Sequence, residues 1–236
     1  MIDLGAQRLL VLAPHPDDEI IGCGGLISKI KEHGGQVYVQ MLTVGDTPDA
    51  SPDGYSSADE RRMEVARVAD LLGWDGYEVV FEGDHHHLRL DVMPQVELIE
   101  TIESAAALSI RAIRPTMVAL PEPTSYNQDH RAVAAATLAA LRPGDEALRH
   151  QPSLVMVYEQ IADQWNTGSG FTPNFAVDLE QRHLDAKIAA MSAYKSQIRE
   201  HPSTRSKESL TSMAYYRGGQ FGCRRAEAYH ALRMKL

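Results

Sequence analysis

The sequence predicts an α/β fold, a Rossmann-like three-layer sandwich with a mostly parallel sheet and a C-terminal extension. Two observations point there. Short apolar runs rich in β-branched residues alternate with longer stretches of helical periodicity, the pattern of βαβ units whose sheet is covered on both faces. Clusters of polar residues fall just after the strands, where open parallel sheets bind their ligands. The 236 residues are 44% hydrophobic and 23% charged, enough for one sizeable core. We expect a single domain over 1–236, with a core over 1–160 and an extension of the same domain over 161–236.

Taken in order, "LLVLAP" reads as a short buried strand followed by a Gly-rich turn. Leu26, Ile27 and Ile30 then mark a helical apolar face that stops at Gly34 and Gly35. "QVYVQMLTVG" is a β-branched strand, and a polar loop with Pro48, Pro52 and Gly54 follows it. Ser57 and Glu60 form an S-x-x-E cap for a helix that turns Met63, Ala66, Ala69 and Leu72 inward and ends at Gly73. "YEVVFEG" is a third strand, "VELIETIESAAALSI" a third helix and "TMVALPEP" a fourth strand. A helix starting near Asp129 runs through Val133, Leu138 and Leu141, and "LVMVYEQ" is a fifth strand. The remainder is less regular: a loop "NTGSGFTPN", a strand-like "FAVDL" and a long helix through "LDAKIAAMSAYKSQI".

Composition narrows the function classes. With 23 basic and 32 acidic residues the net charge is −9, which argues against a broad nucleic-acid or anionic-membrane surface. Two cysteines, Cys23 and Cys223, build neither a disulfide framework nor a cysteine zinc site. The N-terminus lacks the basic and apolar regions of a signal peptide, and no apolar run is long enough to span a bilayer. These readings predict a cytoplasmic protein and leave homo-oligomerisation open.

The chemistry gathers where the first strand ends. His15, Asp17, Asp18 and Glu19 follow Pro14 almost without interruption. Two like charges about 4 Å apart repel by roughly 4 kcal/mol at an effective dielectric near 20, so the crowding calls for protons, hydrogen bonds or a cation. Asp129 and His130, after the fourth strand, can meet the first segment at one sheet edge. Two histidines and one aspartate make a three-ligand set that leaves a position for water, as catalytic zinc requires. Zinc would bring the pKa of that water toward about 7, and Asp17 is placed to take its proton. The bland alternative is a helix N-terminus whose acids favour the dipole, with His130 incidental.

"APHPDDEIIGCGG" resembles the signature of the LmbE/PIG-L family of zinc-dependent N-acetyl-sugar deacetylases. The family's H-x-D-H motif corresponds to Asn127, Gln128, Asp129 and His130. Arg61, Glu64, Ala69, Leu72 and Gly73 match a third feature, and "AYKSQI" and "GGQFGCRRAEAYHALR" resemble the C-terminal region. The resemblance implies that His15, Asp18 and His130 hold Zn2+, with Fe2+ an alternative of the same donor chemistry. It implies Asp17 as general base, Asp129 as a carboxylate supporting the site and Arg61 as a contact for sugar hydroxyls or a phosphate. Asn127 stands where many members carry histidine; it can donate to an oxyanion but cannot shuttle a proton. The implied substrate is a small N-acetylated amino sugar or its conjugate. A lyase or hydratase on the same metal platform, and a non-catalytic module, are the rival readings.

Weaker signals complete the set. His85, His86 and His87 read as a solvated loop after a strand, with metal binding the rival. Trp165 is a candidate for stacking on a sugar ring, against simple packing. His201 lies in a basic stretch with Lys195, Arg199, Arg205 and Lys207, either a solvated helix end or a rim for an anionic substrate. Cys23 reads as a small apolar filler, and "GCGG" lacks the spacing of a dinucleotide loop.

Overall fold

The computed structural model describes residues 2–48, 54–83, 85–165 and 171–235. The loop around Pro52 and the first half of "NTGSGFTPN" lie outside the described residues. β1 (Arg8–Ala13), β2 (Gln36–Val44), β5 (Gly76–Glu82), β6 (Met117–Leu120) and β7 (Leu154–Tyr158) form a parallel core. A small hairpin of β3 (Thr47–Pro48) and β4 (Tyr55–Ser56) stands apart. The main sheet has the order β5-β2-β1-β6-β7-β9-β8, in which β8 is Phe175–Asp178 and β9 is Ala226–Met234. The sequence pattern does not mark β9 as a strand. It runs antiparallel between β7 and β8, so the segment after Gln160 completes the same sheet.

β1 is buried on both faces, as a central parallel strand must be. Leu9, Val11 and Ala13 pack in one apolar layer with residues of α1 (Asp18–Glu32), α2 (Ala58–Leu72) and α6 (Gln181–Ala193). Leu10 and Leu12 pack in the other with α3 (Gln95–Glu100) and α5 (Gln128–Ala140). This is the expected three-layer α/β sandwich. The third helix is shorter than its periodicity predicts. α3 passes into a π-helical turn over Thr101–Ala105, and Ser109 caps a separate short α4 (Ile110–Ile113). The terminal segment adds α7 (Lys207–Phe221).

Two expectations are corrected. There is no Gly-rich turn after β1: α1 starts at Asp18 and runs straight through Gly22, Gly24 and Gly25. Those glycines serve close packing, because a Cβ on Gly22 would overlap the Tyr158 ring and one on Gly25 the Leu179 side chain. In α2, Ser57 does cap the helix through Glu60 N at 3.1 Å, but Met63 is 63% exposed. The inward stripe is Arg61, Glu64, Val65, Val68, Ala69 and Leu72, so Ala69 and Leu72 face in as expected. Two charged side chains turn in because each has buried work: Glu64 accepts from Ser196 N at 2.8 Å, and Arg61 reaches the cleft described below.

A buried ionic knot ties α1 to the end of the chain. Glu227 on β9 accepts from the backbone N–H groups of Gly25 and Leu26, each at 2.7 Å, and from Lys187 Nζ at 2.7 Å. Lys187 Nζ also donates to Ile21 O, the ordinary helical acceptor for Gly25 N–H. Side chains from α6 and β9 thus bond directly to the backbone of α1. Among the described residues no helix is long and apolar enough to cross a membrane.

Candidate metal and catalytic site

β1 and β6 lie side by side, and the chain leaves them toward opposite halves of the sheet. The crevice at their carboxyl ends is therefore the topological switch point. β1 delivers His15, Asp17 and Asp18 to it; the segment after β6 delivers Asn127, Asp129 and His130. The side-chain donors of His15, Asp18 and His130 lie within 4.8 Å of one another, and all three residues are buried. His130 Nε2 is 3.2 Å and His15 Nδ1 3.5 Å from Asp18 Oδ2. The other Asp18 oxygen accepts from Gln160 Nε2 at 2.7 Å.

Asp129 is fully buried and stands behind this cluster. Its Oδ2 accepts from His15 Nε2 at 2.9 Å and its Oδ1 from Leu90 N at 3.0 Å. The first bond fixes the His15 tautomer and leaves Nδ1 facing Asp18, the arrangement by which a carboxylate supports a ligating imidazole. His130 Nδ1 is buried without a hydrogen-bond partner among the described residues. Two imidazoles and one carboxylate, converging under burial, fit a borderline divalent cation such as zinc.

The electrostatics agree with that fit. Burial would lower the pKa of His15, yet its hydrogen bonds to Asp129 and Asp18 outweigh this and raise it to about 9. Burial favours neutral Asp18, but His130 and His15 hold its carboxyl well below the usual range. The carboxylates demand positive charge here, which a metal ion supplies as well as protons do.

Asp17 sits beside the cluster with a different environment. Burial and the Asp18 charge push it up to about 6, against the pull of Arg205, Arg61 and His15. Its backbone has φ 102°, a conformation an L residue adopts only under constraint. The constraint is visible: Asp17 O accepts from Ile20 N and Ile21 N, while Asp17 N donates to Glu19 Oε2 at 3.2 Å. Glu19 is fully buried and bonded by Tyr194 Oη at 2.6 Å. Burial pushes its pKa up to about 8, so the third acid of the motif is neutral at pH 7 and structural.

A cleft of about 300 Å³ opens over these groups, and Asp17, Asn127, Arg61 and His87 line it. Asn127 caps α5: its Oδ1 accepts from Asp129 N at 2.9 Å, and its Nδ2 donates to no group among the described residues. Trp165 is 82% exposed and not part of the cleft wall, and His201 is likewise exposed and outside it.

His87 corrects the solvated-loop reading of the histidine tract. His85 is exposed, but His87 is buried edge-on to His15, with ring centroids 5.4 Å apart. Its Nε2 accepts from Thr47 Oγ1 at 2.7 Å and Arg61 Nη1 at 3.0 Å; its Nδ1 donates to Thr43 Oγ1 at 3.3 Å. Burial and the charges of Arg61 and His15 lower its pKa to about 3, so the ring is a neutral acceptor. It aims the Arg61 guanidinium. His87→Leu removes that acceptor, and we expect a loss of about 1–3 kcal/mol of stability with metal content unchanged; equilibrium denaturation and elemental analysis check this.

The family model described as PIG-L, GlcNAc-PI de-N-acetylase, matches residues 10–141, the span carrying both motifs. A diacetylchitobiose deacetylase of Thermococcus kodakarensis is 27% identical over 94% of this chain and 81% of its own. The conserved protein TT1542 of Thermus thermophilus is 25% identical, with a TM-score of 0.70 over 100% of this chain and 97% of that one. The fold is also shared at TM-score 0.71 and 20% identity by GalB, the 4-carboxy-2-hydroxymuconate hydratase of Pseudomonas putida, over 98% of both chains. With both motifs meeting at the switch point of the matched span, the chain belongs to the PIG-L family.

Proposed function

We propose that this protein is a zinc-dependent hydrolase that removes the acetyl group from an N-acetylated amino sugar or its conjugate. The observation that carries the reading is the convergence of His15, Asp18 and His130 beside Asp17 in an open cleft. Family membership and the likeness to a diacetylchitobiose deacetylase support the substrate class. A purely structural zinc site would close with a fourth protein ligand, whereas three donors leave room for chemistry.

His15, Asp18 and His130 would hold the cation, zinc or iron(II). When bound, such a cation supplies Lewis-acid polarisation of a carbonyl and acidifies water. The protein's own residues do the rest. Asp17, with its carboxyl raised toward neutrality, accepts the proton of the attacking water. Asn127 Nδ2 donates to the oxyanion that develops on the acetyl carbonyl. Asp17 then returns its proton to the amine nitrogen as the C–N bond breaks, giving acetate and a free amino sugar. Arg61 orients the sugar, and Asp129 holds His15 in register.

The test is release of acetate from a panel of N-acetylated amino sugars. Stoichiometric acetate and amine are expected, and a chelator should abolish turnover until zinc is restored. Because the fold also carries a hydratase, addition of water to an unsaturated acid without acetate release would replace the deacetylase reading.

A further inference from the structure

Arg205 lies between α6 and α7 and lines the same cleft as Asp17 and Arg61. Its Nη1 donates to the neutral Gln197 Oε1 at 2.6 Å and stands 3.5 Å from Asp17 Oδ2. Its Nε and Nη2 make no hydrogen bond among the described residues, and its side chain is 36% exposed. Arg61 is 3% exposed, and among the described residues no carboxylate lies within ion-pair distance of it. All its hydrogen bonds leave from Nη1, to Gly45 O, Thr47 Oγ1 and His87 Nε2, while its buried Nε has no partner among the described residues.

Buried charges are paired as a rule, yet among the described residues Asp17 is the one carboxylate within ion-pair distance of Arg205 and none is within it of Arg61. The charges of both guanidinium groups act on Asp17, while Arg61 is acted on by Asp17, Asp18 and Glu64 and, in the opposite sense, by Arg205. The hydroxyl residues Thr47, Ser203 and Thr204 line the same cleft. A planar donor fork with free N–H groups is suited to a carboxylate or phosphate. In a chain of net charge −9, a half-exposed guanidinium that faces the cleft with Nε and Nη2 unused is a local feature with a local purpose.

We propose that Arg205, with Arg61 behind it, forms an anion-reading corner of the cleft, so that the preferred substrate is an N-acetylated amino sugar carrying a phosphate or carboxylate. The proposal rests on the deacetylase reading for the sugar but not for the anion. Its test therefore reads binding as well as turnover.

The experiment titrates zinc-loaded protein calorimetrically with glucosamine, glucosamine 1-phosphate, glucosamine 6-phosphate and muramic acid. At least one anionic ligand should bind about tenfold or more tighter than glucosamine. Arg205→Met should erase that margin and Arg205→Lys keep part of it; whether muramic acid or a phosphate leads tells carboxylate from phosphate. Equal binding of neutral and anionic ligands overturns the proposal. So does a margin that survives Arg205→Met, which would place the anion on the metal instead. Acetate release from N-acetylglucosamine without any anion preference leaves the deacetylase standing and removes only this corner. A margin that depends on Arg205 without acetate release from the matching N-acetyl compounds does the reverse.

Discussion

Asp17→Asn lowers acetate release by about 10²–10⁴-fold, the range for loss of a positioned proton acceptor, while zinc still co-purifies. Asparagine is the informative replacement. It keeps the shape of the side chain and is among the few residues that accept positive φ, so the φ 102° backbone survives. Alanine would add backbone strain to the chemical loss and confuse the two. The measurement is acetate release at saturating substrate, paired with elemental analysis and a thermal melt. Undiminished turnover would exclude Asp17 as the base. Loss of zinc in step with activity would instead make Asp17 part of the metal's support.

Glu227→Ala lowers unfolding free energy by about 3–5 kcal/mol, because it leaves the Lys187 ammonium buried without its counter-charge. The Lys187 and Glu227 side chains are 7% and 5% exposed, so solvent offers little relief. The same change strips the acceptor from Gly25 N and Leu26 N, two backbone donors inside α1. Equilibrium denaturation of the wild-type and variant proteins reads the effect. A loss below about 1 kcal/mol would show that water replaces the carboxylate at this point. Because α1 begins at Asp18, zinc affinity should weaken alongside stability.

Comparing residues explains what the sequence made legible. The crowding of His15, Asp17 and Asp18 at a strand end is a local conflict, visible without coordinates because like charges in sequence are like charges in space. The meeting with Asp129 and His130 follows from topology, since both segments leave neighbouring strands at the switch point. His87 is hidden for the opposite reason: in a tract of three histidines, nothing local says which ring turns inward. Burial selects it through Thr43, Thr47 and Arg61, none of which neighbours it in sequence. Nothing local in the sequence singles out Lys187 or Glu227, and only their pairing across sheet and helix reveals them. The glycines after Asp18 suggest a turn because helix propensity penalises them, yet Tyr158 and Leu179 need the space. Trp165 and His201 stand out by composition, and composition does not place a side chain.

The position of β9 sets an order of events for the growing chain. His15, Asp18 and His130 are all synthesised well before the strand that separates β7 from β8. Until β9 arrives, the outer edge of β7 is an open template for another strand, and Glu227 has not yet closed a contact that spans 202 residues to Gly25. Contacts of such sequence separation slow folding and lengthen the exposure of unpaired edges. A nascent chain thus holds Asp18 on a helix that is still unanchored at Gly25 and Leu26, and the final strand acts as the latch that fastens it.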